Sequence, residues 1–432
     1  MGSSIERGRP SGSEQTATVI DRSMWRRPIV ALLTTRGVRA IADGMVAASL
    51  STYLTMRGLS PSGIGLFVTA TLIGSAAIVT AAGFRPDMLS PMRMAVTTSV
   101  LMVVLGAAFG VRLAIPALVV LALIGPLNPG GGDVSAFLPA EQAMLSGVVE
   151  PQRRTTVFAR FTLVASLGAA AGGYAAGVPK WLERSRGWTR LGAVSMTFWI
   201  YAVLGVVVLA IYIGRVWERR RGTDGGHVVQ TPLGESRRTV RDLSLLFSLD
   251  SAGGGLVLTS LIALWLTRRF GFNLAQVGST LATMSLASAV SALAAPRLVR
   301  KYGPVRTMVL THAPAQVLLL ATAFAPNATV AVVLLMLRSL SSNLDVPART
   351  AFVMNVVTPA ERAAAASFTN IPRALAAAMT PAASGWMLGR STFGWPLIVA
   401  GVMKLTYDTL LFVRFGHVDD ELVAESARVR VR

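Results

Sequence analysis

The residues of this chain that could do chemistry are ionisable side chains set within long apolar runs. Asp43, Asp250 and Asp345 lie in such runs, as do Arg36, Arg39, Asp133, Glu141, Arg160, His312, Arg338, Arg349, Arg373 and Lys404. A charge at the centre of an apolar span costs about 2.5–3.5 kcal/mol on insertion scales, so each marks a function or a structural ion pair. Arg39 and Asp43 stand four residues apart, as do Asp345 and Arg349, which places each pair on one helix face. A carboxylate withdrawn from water takes up a proton readily and a neighbouring arginine opposes this, so a movable arginine would let conformation control protonation. Asp43, Asp250 and Asp345 are therefore the candidate proton-coupling groups. Arg36, Arg39, Glu141, Arg349 and Glu361 are candidates for gates or ion pairs, with Asp250 able to pair with Arg36 and Arg39 across a cavity or within its own half. Asn128, Asp133, Arg338, His312 and Arg373 are the candidates for a substrate cavity.

The elements that must hold these groups are membrane spans, each needing about 20 mostly apolar residues. Twelve are expected, near residues 31–55, 63–83, 92–111, 117–148, 156–178, 194–215, 244–267, 275–296, 305–325, 329–357, 364–388 and 394–414. The fourth is long and broken, because Asn128-Pro129-Gly130-Gly131-Gly132 cannot continue a helix cheaply and freed backbone groups in lipid need protein or a wet cavity. The expected organisation is a disordered cytosolic arm over 1–28, a six-helix half over 29–216, a cytosolic linker over 217–242, a second six-helix half over 243–418 and a cytosolic tail over 419–432.

Composition agrees. Of 432 residues 53% are hydrophobic and 14% charged, against roughly 25% charged in a soluble domain. The net charge of +20 would suggest nucleic acid in a soluble protein. With the N-terminus inside, however, about 25 of the 41 Lys and Arg fall in cytosolic segments, about nine outside and seven in spans, as the positive-inside rule requires. Nucleic-acid binding is therefore not expected. The outside group is concentrated at Lys180, Arg184, Arg186 and Arg190, around Trp181 and Trp188, where contact with lipid headgroups or an anion-attracting vestibule is expected. The absence of cysteine, the three scattered histidines, and the lack of a phosphate-binding Gly-Lys-Ser/Thr loop or a Gly-x-Ser-x-Gly elbow point away from an enzyme, a metal site or a cofactor.

The halves repeat. Tyr53-Leu54-Thr55 echoes Trp265-Leu266-Thr267 at a separation of 212. Pro91-Met92-Arg93 matches Pro304-Val305-Arg306 at 213, and the segment from Ala143 to Pro151 matches Ala351 to Pro359 at 208. Six spans in each half, running in the same direction, imply parallel repeats about an axis along the membrane normal, with a site between them near mid-membrane.

On these features the chain resembles the major facilitator superfamily. That superfamily's loop motif after the second and eighth spans survives as Gly83, Asp87 and Arg93, and as Lys301, Gly303 and Arg306, which adds Asp87, Arg93 and Arg306 to the gate candidates. The stretch Pro359-Ala360-Glu361-Arg362, with Leu344 to Arg349, is similar to one bacterial subgroup of these permeases and adds Arg362. Gly168 to Gly177 is similar to the fifth-span antiporter motif, with Gly173 in place of its proline, and Ala376 to Gly385 repeats it with Pro381 retained. Close helix packing explains the same small residues.

The resemblance implies an all-α polytopic membrane protein with twelve transmembrane helices in two parallel six-helix repeats. It also implies gradient-driven transport of a small organic solute with protons as coupling ion, by antiport out of the cell, from a monomer in a bacterial inner membrane with both termini cytosolic. Proton-coupled uptake of a small, anionic metabolite is the alternative. A membrane sensor or scaffold on the same fold is the remote one.

Overall fold

The computed structural model describes residues 12–84, 90–130, 137–149, 154–219, 234–292, 302–341 and 361–430, with residues 298, 348–349, 352–353 and 356–358. The first half contains α1 (Gly12–Met56), α2 (Pro61–Phe84), α3 (Pro91–Gly110), α4 (Ile115–Ile124), α5 (Leu138–Val148), α6 (Arg154–Ala175), α7 (Val178–Arg186) and α8 (Arg190–Arg219). The second contains α9 (Arg237–Leu256), α10 (Thr259–Phe270), α11 (Leu274–Ala292), α12 (Pro304–Ala323), α13 (Ala328–Ser339), α14 (Arg362–Met379), α15 (Pro381–Arg390) and α16 (Trp395–Arg430). Proline opens α2, α3, α12 and α15, where its missing N–H costs nothing and its fixed φ favours the first turn. Side chains cap others: Asn327 Oδ1 accepts from Val330 N at 3.0 Å to start α13.

These helices supply the twelve spans of the expected fold. Among the described residues six helical stretches are long and apolar enough to cross a bilayer by themselves, and α4 and α13 are shorter apolar helices within spans four and ten. Span four is broken as expected, α4 ending at Ile124 and α5 starting at Leu138. Spans seven and eleven are broken too, between α9 and α10 at Val257 and Leu258 and between α14 and α15 at Thr380, where the sequence reading has continuous spans. The cause lies in the sequence: Gly253-Gly254-Gly255 weakens the end of α9, and Pro381 removes the donor that would continue α14.

The breaks satisfy one another's backbone. Pro129 O accepts from Ser260 N at 3.1 Å, and Gly130 O from Thr259 Oγ1 at 2.8 Å, so the interrupted fourth span is tied to the second half. Thr380 Oγ1 donates to Ala252 O at 2.8 Å, and a Cβ at Gly255 would strike Ala377 O, so the other two breaks are pressed together.

The arm also departs from expectation, because α1 starts at Gly12, inside the segment read as disordered. Extending an existing span requires no new nucleation, and nothing between Ser13 and Arg27 breaks a helix. The final helix likewise runs through the tail to Arg430.

Alternation of twelve spans places both termini at one end of the bundle. At the opposite end the halves meet through small residues. Gly65 on α2 touches Gly385 on α15, and Gly173 on α6 touches Gly278 on α11, at positions where any side chain would collide with backbone. Ala382 N adds a bond to Thr69 Oγ1 at 2.9 Å. The small-residue run from Gly168 to Gly177 thus packs on α1 through Gly168 and Gly172, and on the second half through Gly173.

Candidate functional site

Among the described residues each half encloses a buried charge network. In the first, α1 contributes Arg39 and Asp43, α5 Glu141 with Phe137 just before its start, and α8 Tyr212. Arg39 grips Glu141 with two donors, Nη2 to Oε2 at 2.7 Å and Nε to Oε1 at 3.3 Å, and its Nη1 lies 3.3 Å from Asp43 Oδ2. Tyr212 Oη bonds to Glu141 Oε1 at 3.2 Å and lies 3.2 Å from Thr35 Oγ1. The guanidinium also stacks over the Phe137 ring at 4.6 Å. Arg39 is 1% exposed and Glu141 is fully enclosed, while Asp43 keeps 5% exposure. This is the two-pronged geometry that makes arginine suited to a buried carboxylate. The i,i+4 spacing of Arg39 and Asp43 therefore becomes a contact, and the partner from span four is Glu141.

The second network draws on α9, α12, α16 and Arg349 of span ten. Lys404 Nζ is 2.6 Å from Asp250 Oδ1, His312 Nε2 is 3.6 Å from the same oxygen, and Arg349 Nη1 is 3.7 Å from Asp250 Oδ2. On its other edge His312 Nδ1 bonds to Asp408, at 2.8 and 3.0 Å from the two oxygens. Tyr407 packs edge-on to the imidazole, and Arg349 lies over the Phe247 ring. Asp250 therefore finds its partners within its own half, and a histidine bridges it to a second carboxylate.

The comparisons place this architecture. The model of the Major Facilitator Superfamily matches residues 243–428. The fold overlays a bacterial homolog of the human lysosomal transporter Spinster in an inward-facing, unoccupied conformation, with a TM-score of 0.65 at 12% identity over 90% of this chain and 96% of that one. Residues 243–428, the second half of the chain, are thus similar to the Major Facilitator Superfamily, and the whole chain has the fold of that solved transporter. Other solved structures with this fold are the human organic anion transporter MFSD10 (TM-score 0.63, 14% identity, 90% and 99% covered) and the nucleoside transporter NupG (0.65, 14%, 90% and 99%). An uncharacterized membrane protein of Saccharomyces cerevisiae, YJR124C, is 21% identical over 423 residues, 90% of this chain and 94% of its own.

The remaining sequence candidates scatter over this major facilitator fold. Asn128 is buried beside the break of span four, within hydrogen-bonding reach of Asp43, and its Oδ1 accepts from Gly130 N at 3.3 Å. Arg36 lies over the Phe161 ring at 5.0 Å. Arg338, in the last turn of α13, interacts electrostatically with Asp250. Arg373 reaches Ser251 Oγ and Asn370 Oδ1, both at 3.2 Å. Arg93 is exposed at the start of α3, where its N–H is capped by Ser90 Oγ, and Arg306 is half-buried at the start of α12. Asp87, Asp133 and Asp345 lie outside the described residues, as does the side chain of Arg362.

Glu361 bonds at the linker junction. It accepts from Ser236 N at 3.1 Å, from Thr358 Oγ1 at 3.1 Å and from Gly234 N. These donors, the bonds from Ser236 foremost, pull its carboxyl down to about 2.

Sequence reasoning missed Asp408, and gave Lys404 no role. The signal was available, because Lys404 and Asp408 stand four residues apart in the last span, as Arg39 and Asp43 do in the first.

Proposed function

We propose that this membrane transporter moves a small organic solute by alternating access and couples it to protons as an exporter, working as a monomer in a bacterial cytoplasmic membrane with both termini cytosolic. The observation that carries the coupling is Asp43, a slightly accessible carboxylate whose ion-pair partner, Arg39, is shared with Glu141. A small shift of Arg39 toward Glu141 releases Asp43 to take a proton, and the reverse shift expels it. The seal at the end opposite the termini supports a state open toward the terminal side. Export rests on the small-residue run of span five.

The experiment uses everted membrane vesicles carrying the full chain, in which a panel of compounds is tested for proton-driven accumulation. Export predicts accumulation in these vesicles and raised tolerance in overexpressing cells. The Asp43→Asn variant is expected to insert normally and to lose accumulation driven by a proton gradient. Full coupled activity in that variant would transfer the coupling role to Asp250 or Asp345. Uptake of a small anionic metabolite is the second reading, favoured by the basic groups within the spans, Arg338, Arg349 and Arg373. It predicts accumulation by cells and none in everted vesicles.

A further inference from the structure

The segment joining spans five and six forms a site that the transport reading does not use. Arg112, just beyond α3, holds φ at 61°, which among described non-glycine residues is the only positive value. Such a conformation is uncommon for a residue with a Cβ and persists where surrounding contacts impose it. Here Arg112 N bonds to Phe109 O at 3.1 Å, and its Nε donates to Ser195 Oγ at 3.2 Å. The guanidinium is thereby carried over Gly192, where a Cβ would lie 3.3 Å from Nη2. The space so made is a cavity of about 300 Å³, walled by Trp188 and Trp199 and floored by Gly110, Thr189, Ser195 and Met196.

Charge converges on this corner. Of the nine basic residues assigned to the end opposite the termini, six (Arg57, Arg112, Lys180, Arg184, Arg186 and Arg190) belong to adjoining segments, with Glu183 the one acid among them. Arg57 is tied in by a 2.8 Å bond to Leu113 O, and α7 carries Lys180, Arg184 and Arg186 beside α8. Exposed tryptophans accompany them, Trp181, Trp188 and Trp199, as at a membrane interface. Beyond the cavity the packed helices α3 and α8 both carry exposed valines, Val100 and Val104 on one and Val203 and Val207 on the other.

We infer that this corner binds one anionic phospholipid, its phosphate on the Arg112 guanidinium, its glycerol region between the Trp188 and Trp199 rings and an acyl chain along the α3–α8 face. Charge complementarity selects an anionic headgroup over a zwitterionic one, each nearby Lys or Arg contributing attraction. The exposed valines select a lipid over a free phosphate.

The test is native mass spectrometry of the full-length protein in detergent, with dioleoyl phosphatidylglycerol or dioleoyl phosphatidylcholine added. The wild type is expected to retain one phosphatidylglycerol about tenfold more than phosphatidylcholine, a factor that corresponds to about 1.4 kcal/mol. Arg112→Gly suits φ of 61° better than arginine does, so the loop keeps its path while the cation is removed. It should lose most of the preference, and Gly192→Leu, which fills the cavity from a helical position, should do the same and carries the test if the first variant folds poorly. Equal retention of the two lipids by the wild type would overturn the site, as would a preference unchanged in both variants. Displacement of the lipid by excess inorganic phosphate would also overturn it, in favour of a free-anion site.

Discussion

The two halves place an ion pair at the same point with its polarity reversed. In the first half the cation is on the opening span and the anion on the fourth, Arg39 with Glu141. In the second the anion opens and the cation follows, Asp250 with Arg349. The repeat offset of 208 that superimposes the segments after the fourth and tenth spans carries Glu141 onto Arg349, so the repeat preserves the position of the pair without preserving its sign. Geometry differs as well. Arg39 holds Glu141 by two bonds, at 2.7 and 3.3 Å, in a fully closed pocket, whereas Asp250 divides its attraction among Lys404 at 2.6 Å, His312 at 3.6 Å and Arg349 at 3.7 Å. A buried pair of the first kind is a clamp, since removing either member strands the other. A carboxylate with three competing partners can exchange one for another at low cost. The first half therefore has the stiffer link between its opening and fourth spans, and the second has the more adaptable one.

The contrast is broken most severely at Arg39. Arg39→Met leaves Glu141 and Asp43 without their shared cation in a site that water hardly enters, and a cost of about 3–5 kcal/mol is expected. Size-exclusion profiles and thermal melts of the detergent-solubilised variant should show largely unfolded or aggregated protein. A melt within a degree of the wild type would show that the clamp contributes nothing.

Lys404→Met gives the matching measurement in the second half and should cost less, about 1–3 kcal/mol, because Arg349 and His312 remain to face Asp250. Its transport phenotype should exceed its stability phenotype, with a melt lowered less than that of Arg39→Met and an altered pH profile of proton-driven accumulation. If Lys404→Met destabilises as strongly as Arg39→Met, the second network is also a clamp and the difference between the halves disappears.

Much of this architecture was legible in the residues, for identifiable reasons. Apolar run length sets span number because lipid leaves the backbone no alternative to helix, and the Pro129-Gly130 break announced itself by removing a donor where none can be spared. The breaks after Gly255 and at Thr380 were less visible, because triple glycine in a span and a single proline are each compatible with continuous helix until packing decides. Charge partners were half legible. The i,i+4 rule found Arg39 with Asp43, but the dominant contact, to Glu141, joins residues 102 positions apart. Asp408 was hidden for a similar reason, since its partner His312 comes from a helix 96 residues away. Local spacing reveals contacts along one helix, and only the packing of the bundle reveals contacts between helices.

The smallest effect expected is at Glu361, which the 208-residue offset pairs with Arg153, another position where the halves carry opposite charge. Glu361 ties the second half to its preceding linker through the N–H groups of Gly234 and Ser236, ahead of α9. These donors favour the ionised form and hold its carboxyl near 2, below the ordinary carboxylate range. A group depressed in the folded state contributes its stabilisation fully above its unfolded pKa and loses it as pH falls through the folded one. The junction should thus be unchanged from pH 8 to about pH 5, and should loosen progressively as pH falls from about 4.5 toward 2. Hydrogen exchange of the amides of residues 234–240 reads this directly. Wild-type protection should fall over that acid window, and Glu361→Gln should show the loosened exchange at every pH while leaving the melt and both buried networks intact. Exchange that is insensitive to both pH and substitution would mean that α9 holds its own start, and that the two halves differ here in charge alone.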